Sequence, residues 1–158
     1  MSAAETAVPS AGAVRPPNRV AVTWAGDQKF ESTRDGGPIL HMDGTGKAAQ
    51  SPPDVLMSAL AACTAIDAVE ILKKRRTPPS SFRMDVEGTR VDSTPRRFSH
   101  ILLTYHIDGD GIEREHAERA LELSITKYCT VRDSLAKDLV IEWMLVLNGV
   151  ASGERRAG

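Results

Sequence analysis

The chain has 158 residues, 41% hydrophobic and only 4% aromatic, with 20 Lys and Arg against 21 Asp and Glu, a formal net charge of −1. That length fits one domain, the apolar share excludes wholesale disorder, and the balanced charge leaves no electrostatic footprint for nucleic acid. The longest uncharged apolar stretch, Val55 to Ile66, has 12 residues, short of the ~20 that span a bilayer. No basic segment followed by an apolar one opens the chain, so the expected setting is the cytoplasm, without a membrane or nucleic-acid partner.

Residues 1–18 are small, proline-rich and aperiodic, and read as a disordered arm. Arg19 to Trp24 alternates, with Val20, Val22 and Trp24 on one face, which predicts a half-buried strand. Gly26-Asp27 turns the chain into a hairpin partner, Lys29 to Thr33. After Asp35-Gly36-Gly37-Pro38 a third short strand covers Ile39 to Met42. Ser51-Pro52-Pro53-Asp54 starts a helix, with Ser at the N-cap, Pro at the first helical position and an acid at the third. The helix runs to about Lys74 and ends at Thr77-Pro78-Pro79. From Val55 to Ile66 it is apolar on nearly every face, so protein is expected all around its first turns.

Phe82 to Val91 and Phe98 to Ile107 alternate as strands on either side of the turn Asp92-Ser93-Thr94-Pro95. Ala117, Ala120, Leu121, Ser124, Ile125 and Tyr128 then recur as one helical stripe, with Cys129 at its edge. Leu139 to Leu147 is a last strand, and residues 149–158 read as a flexible tail. The order βββαββαβ predicts an α+β domain over residues 19–148, its mainly antiparallel sheets packed around a buried central helix that carries Cys63 and a second helix. One small sheet and one further helix do not cover a helix that is apolar all round. A homodimer is therefore expected to supply the rest.

Cys63 and Cys129 are the only cysteines. Two cysteines without close histidines make no tetrahedral zinc site, and a reducing cytosol disfavours a permanent disulfide. Two readings stay open: buried inert thiols, or a working redox pair. A thiol among Ala61, Ala62, Thr64, Ala65 and Ile66 becomes a nucleophile only beside a cation, and this helix has none before Lys73. The cation must come from a loop or another subunit. Asp54 lies nine positions before Cys63; that is roughly 13.5 Å along a helix and half a turn around it, so the two side chains of one chain do not meet. Asp54 reads equally as a capping-box acid. His41, His100, His106 and His116 have no motif spacing and read as surface residues.

The segments Ser51-Pro52-Pro53-Asp54-Val55-Leu56, Ala62-Cys63-Thr64-Ala65-Ile66-Asp67, Ile71-Leu72-Lys73-Lys74, Pro95-Arg96-Arg97-Phe98 and Lys127-Tyr128-Cys129-Thr130-Val131 resemble the OsmC/Ohr family of peroxide-reducing proteins, closest to its YhfA-like branch. The resemblance covers about residues 19–147. It implies an intertwined homodimer with active sites at the interface and thiol-dependent reduction of organic hydroperoxides. By the same resemblance Cys63 matches the peroxidatic cysteine and Cys129 the resolving one. An external thiol or a lipoylated protein would reduce their disulfide, and neither metal nor organic cofactor is required.

Two positions depart from the family pattern. Asp54 stands where a glutamate usually holds an arginine against the thiolate, and the third strand, Pro38-Ile39-Leu40, carries no arginine. Arg34, in the turn before it, is the nearest candidate for the activating cation, and Arg96 is a second. The expected function is a dimeric thiol peroxidase for lipophilic hydroperoxides. The alternative is a non-catalytic, stress-related dimer that binds an apolar ligand.

Overall fold

The computed structural model describes residues 15–158. The first 14 residues of the expected disordered arm lie outside the described residues; the remainder, 15–18, is exposed and without regular secondary structure. Two compact units divide between Ala49 and Gln50.

In the first unit, β1 (Ala21–Trp24), β2 (Lys29–Thr33) and β3 (Leu40–Asp43) form an antiparallel sheet in that order. Gly26 and Asp27, at φ of 97° and 47°, turn β1 into β2, a conformation that glycine and aspartate accept at little steric cost. The register aligns Val22 with Ser32, Trp24 with Phe30 and Phe30 with Met42, so these apolar side chains share one face. Val22, Trp24, Phe30 and Leu40 are nevertheless exposed. The half-buried strand expected at 19–24 is thus an exposed one: alternation selected a face, but this chain's own fold leaves that face open.

The second unit opens with α1 (Pro52–Lys74), and continues through β4 (Ser81–Arg90), β5 (Phe98–Asp108), α2 (Arg114–Leu123), a π-helical turn (Ser124–Tyr128), α3 (Thr130–Ser134), β6 (Val140–Leu147), β7 (Val150–Ala151) and β8 (Arg156–Ala157). The sheet order is β4-β5-β6-β7, with β8 also on β6. Alternation is obeyed here: Phe82, Met84 and Val86 are half-buried while Arg83, Asp85 and Glu87 are exposed. Ile101, Leu103, Tyr105 and Ile107 of β5, with Ile141, Trp143, Leu145 and Leu147 of β6, join Leu60, Ala68 and Leu72 of α1 in one core. Gly88 lets α1 pack close to the sheet, since a Cβ there would sit 2.5 Å from Met57 Sδ.

Four features refine or correct the sequence expectation. First, β5 and β6 pair in parallel, because the chain between them crosses over through α2 and α3, and a crossover returns a strand in the same direction. Second, the tail read as flexible forms β7 and β8 on β6. Asn148 and Gly149, both at positive φ, supply the tight hairpin turn that an Asn-Gly pair favours. Third, as the sequence expectation had it, this chain leaves part of α1 uncovered: Ala59, Ala62 and Ile66 lie along one exposed stripe, with Ile66 64% exposed. With 23 residues, α1 is also long and apolar enough to cross a membrane, which the 12-residue stretch alone did not indicate, although its opposite side is built into the core. Fourth, Tyr128 leaves the buried stripe, for a reason that places Cys129.

Candidate active site around two thiols

Cys63 sits in the middle of α1, half-buried and packed against the core, on the turn that also carries Thr64. Thr64 is fully buried; its hydroxyl donates to the Ala61 carbonyl at 2.9 Å and accepts from the Tyr105 hydroxyl at 2.7 Å. The Tyr105 ring is wedged edge-on against Phe82 and Trp143. Burial pushes its phenol above the ordinary value, the bond to Thr64 opposes it, and Cys129 adds a smaller upward push. Tyr105 therefore stays a neutral donor that ties β5 to the α1 turn beside Cys63.

Cys129 is brought to Cys63 by an irregularity. The hydroxyls of Ser124 and Thr126 donate to the carbonyls of Ala120 and Glu122, each four residues back, at 2.7 Å. Such bonds compete with the helical ladder, and here the ladder widens into the π-helical turn, closed by the Cys129 N–H to the Ser124 carbonyl at 2.8 Å. The wider turn shifts the phase of the stripe: Tyr128 emerges 48% exposed, and Cys129 is 3% exposed and in the core. Cys129 then adopts an extended backbone and caps α3, its Sγ accepting the Arg132 N–H at 3.2 Å. Its thiol neighbours that of Cys63. Burial pushes the Cys129 thiol up to about 11; Cys63 pushes the same way, and the Arg132 and Val131 N–H groups oppose them. Both cysteines are free thiols.

The other expected site residues are engaged locally. Asp54 accepts from the Ser51 N–H at 3.0 Å and the Ser51 hydroxyl at 2.6 Å. Those bonds hold its carboxyl below the usual range, against desolvation and with help from the Arg90 charge. These are the contacts of a helix-capping acid, and Arg90, absent from the sequence reading, is the cation that acts on it. Arg34, in the first unit, lies with its Nε 3.7 Å from the Asp35 carboxylate. Arg96 donates to the Val91 carbonyl at 3.4 Å within the β4–β5 loop. Within residues 50–158 no guanidinium donates to Cys63 Sγ. The four histidines each face an acid: His41 Glu31, His100 Glu142, His106 Asp85 and His116 Glu113. Among the described residues no group of His, Cys, Asp and Glu could hold a metal.

A family profile described as OsmC-like protein matches residues 44–144. Protein YhfA of Escherichia coli K12 is 33% identical over 117 residues, which is 73% of this chain and 87% of YhfA. The chain belongs to the OsmC-like family. Its fold is that of other OsmC-like proteins: the OsmC-like protein of Mycoplasma pneumoniae superposes with a TM-score of 0.72 at 17% identity, over 84% of this chain and 97% of that one. The organic hydroperoxide resistance protein OhrB of Bacillus subtilis superposes at 0.54 and 16% identity, over 84% and 98%.

The surroundings of the two thiols in this OsmC-like protein include one residue that the sequence reading passed over entirely. Arg132, in the first turn of α3, contributes its backbone N–H to Cys129 and its guanidinium to an adjoining groove. The signal was present as Cys-Thr-Val-Arg, a cap residue followed three positions later by a donor, but a five-residue helix is too short to show a periodicity.

Proposed function

We propose that this protein is a thiol-dependent peroxidase that reduces organic hydroperoxides to alcohols, with Cys63 as the attacking sulfur and Cys129 as the resolving one. The observation that carries this reading is the meeting of two free thiols, 66 positions apart in the chain, with unequal surroundings. A Cys63 thiolate attacks the distal oxygen of ROOH; the O–O bond breaks, the alkoxide takes a proton and leaves as ROH, and Cys63 becomes a sulfenic acid. The Cys129 sulfur then attacks that sulfenic sulfur. Its proton leaves with the hydroxide as water, and a Cys63–Cys129 disulfide remains. An external thiol or a lipoylated protein returns the pair to two thiols. The chemistry is complete without a metal or a bound organic cofactor.

Cys63 needs a cation to persist as a thiolate. Arg34 is assigned this role, with Arg96 the alternative, and Asp54 is assigned to fixing the start of α1. The protein works as a homodimer in the cytoplasm. Support for the dimer comes from the exposed Ala59, Ala62 and Ile66 stripe on α1 and, separately, from the open apolar face of the β1–β3 sheet. Size exclusion should report about twice the 17.1 kDa chain; a folded monomer would defeat this part of the reading.

A second reading, a non-catalytic dimer that binds an apolar ligand, is favoured by one observation: no guanidinium within residues 50–158 reaches Cys63 Sγ. The deciding experiment gives cumene hydroperoxide and a dithiol reductant to wild type, Cys63→Ser and Arg34→Gln. Peroxide loss that needs Cys63 establishes the enzyme. Equal, slow loss with wild type and Cys63→Ser leaves the ligand-binding reading.

A further inference from the structure

A groove of about 580 Å3 opens beside α3, and Cys129, not Cys63, lies in its wall. Three cationic side chains, Lys127, Arg132 and Lys137, line it against one carboxylate, Asp133. Their present contacts are few. The Lys137 ammonium bonds Asp133 at 2.6 Å, Lys127 rests over the Tyr128 ring at 5.4 Å, and the Arg132 guanidinium reaches the Gly158 backbone oxygen at 3.2 Å. The Asp133 carboxylate and the Gly158 oxygen leave an excess of positive charge facing the groove.

Resting on the peroxidase reading, we infer that this groove is the entry for the reductant, a small thiol bearing a carboxylate, and that it attacks the disulfide at Cys129. The cations hold the carboxylate and raise the local concentration of thiolate. The reductant's sulfur forms a bond to Cys129 Sγ as the Cys63–Cys129 bond breaks, and Cys63 leaves as a thiolate. A second reductant thiolate attacks the sulfur of the bound one. That releases a small-molecule disulfide and a Cys129 thiolate, which takes a proton from water. Two thiols are oxidised and one protein disulfide is reduced.

The test uses the full chain with its disulfide closed by diamide, so that it does not depend on peroxidase activity. Reduction is timed with 3-mercaptopropionate, 2-mercaptoethanol and cysteamine, each rate divided by the thiolate present. The expected order is anion, neutral, cation, with about tenfold between the extremes. The spread should collapse near 0.5 M salt, where the screening length falls to roughly 4 Å. Lys127→Gln combined with Lys137→Gln should shrink the anion's advantage over 2-mercaptoethanol several-fold. Quenching with N-ethylmaleimide should leave mercaptopropionate on the tryptic peptide Tyr128–Arg132 and maleimide on Cys63. Equal rates for the three thiols, a spread indifferent to salt, or the adduct on Cys63 would each overturn the inference. If diamide closes no disulfide, the inference falls together with the disulfide step; if the disulfide closes but shows no charge preference, only the inference falls.

Discussion

Cys63 and Cys129 are the same side chain in two kinds of backbone. Cys63 occupies a regular turn of a 23-residue helix, where every neighbour along the chain follows from the 3.6-residue period. Cys129 occupies a break between a π-helical turn and a five-residue helix, with an extended backbone and a hydrogen bond from Arg132 N–H to its sulfur. The regular site leaves its thiol half-buried, whereas the irregular one shuts its thiol into the core and raises its hold on the proton. A pair with such an asymmetry suits two consecutive roles, because the attacking sulfur must be reachable and the resolving one must stay protonated until a sulfenic acid is beside it.

The largest effect that would break this contrast is catalytic. Cys129→Ser should still consume one equivalent of peroxide and accumulate a sulfenic acid at Cys63 that dimedone traps, whereas Cys63→Ser should trap none, a loss of at least about a hundredfold in the single turnover. A dimedone adduct at Cys129 in the Cys63→Ser protein would reverse the assignment.

Stability against pH sharpens the contrast further. The folded Cys129 keeps its proton to about 11, while in the unfolded chain the thiol titrates near its ordinary 9.0. Between these values the unfolded state binds fewer protons, so stability is fully present below pH 9 and falls as pH rises toward 11. The slope approaches about 1.4 kcal/mol per pH unit, and the whole loss is about 3 kcal/mol. Urea denaturation of wild type against Cys129→Ala should show that loss as a difference between the two curves; parallel curves would mean that burial does not hold the proton.

The smallest effect concerns the link between the α1 turn and the sheet. Tyr105→Phe removes the donor to Thr64 and should cost about 1 kcal/mol by urea denaturation. Because the turn beside Cys63 then loses its tether to β5, dimedone labelling of Cys63 after peroxide should also slow. Labelling at the wild-type rate would make Tyr105 a packing residue only.

Legibility of the fold differs in the same way between the two regions. The capped start of α1, its end at Lys74 and the alternation of β4 and β5 were readable, because each is a local periodicity or a local hydrogen-bond device. The stripe through α2 was readable only as far as Ile125. Beyond it the hydroxyls of Ser124 and Thr126 widen the helix, and a reading at constant 3.6 residues per turn puts Tyr128 inside and Cys129 at the edge. The Asn148-Gly149 hairpin could have been found from its dipeptide; the parallel pairing of β6 with β5 could not, since it depends on where a crossover lands.

Taken alone, the amino-acid order determined the long helices and the strands β1 to β6, that Asp54 and Ser51 can cap α1, and that only two residues in the chain could do thiol chemistry. Tertiary structure alone decided that those two sulfurs are neighbours, that one is more deeply buried than the other, and that a cationic groove opens on the buried one. The reason is physical: local periodicity fixes the direction of a side chain only within an unbroken element, and the contact between Cys63 and Cys129 depends on packing across two elements and on one turn that does not keep the period.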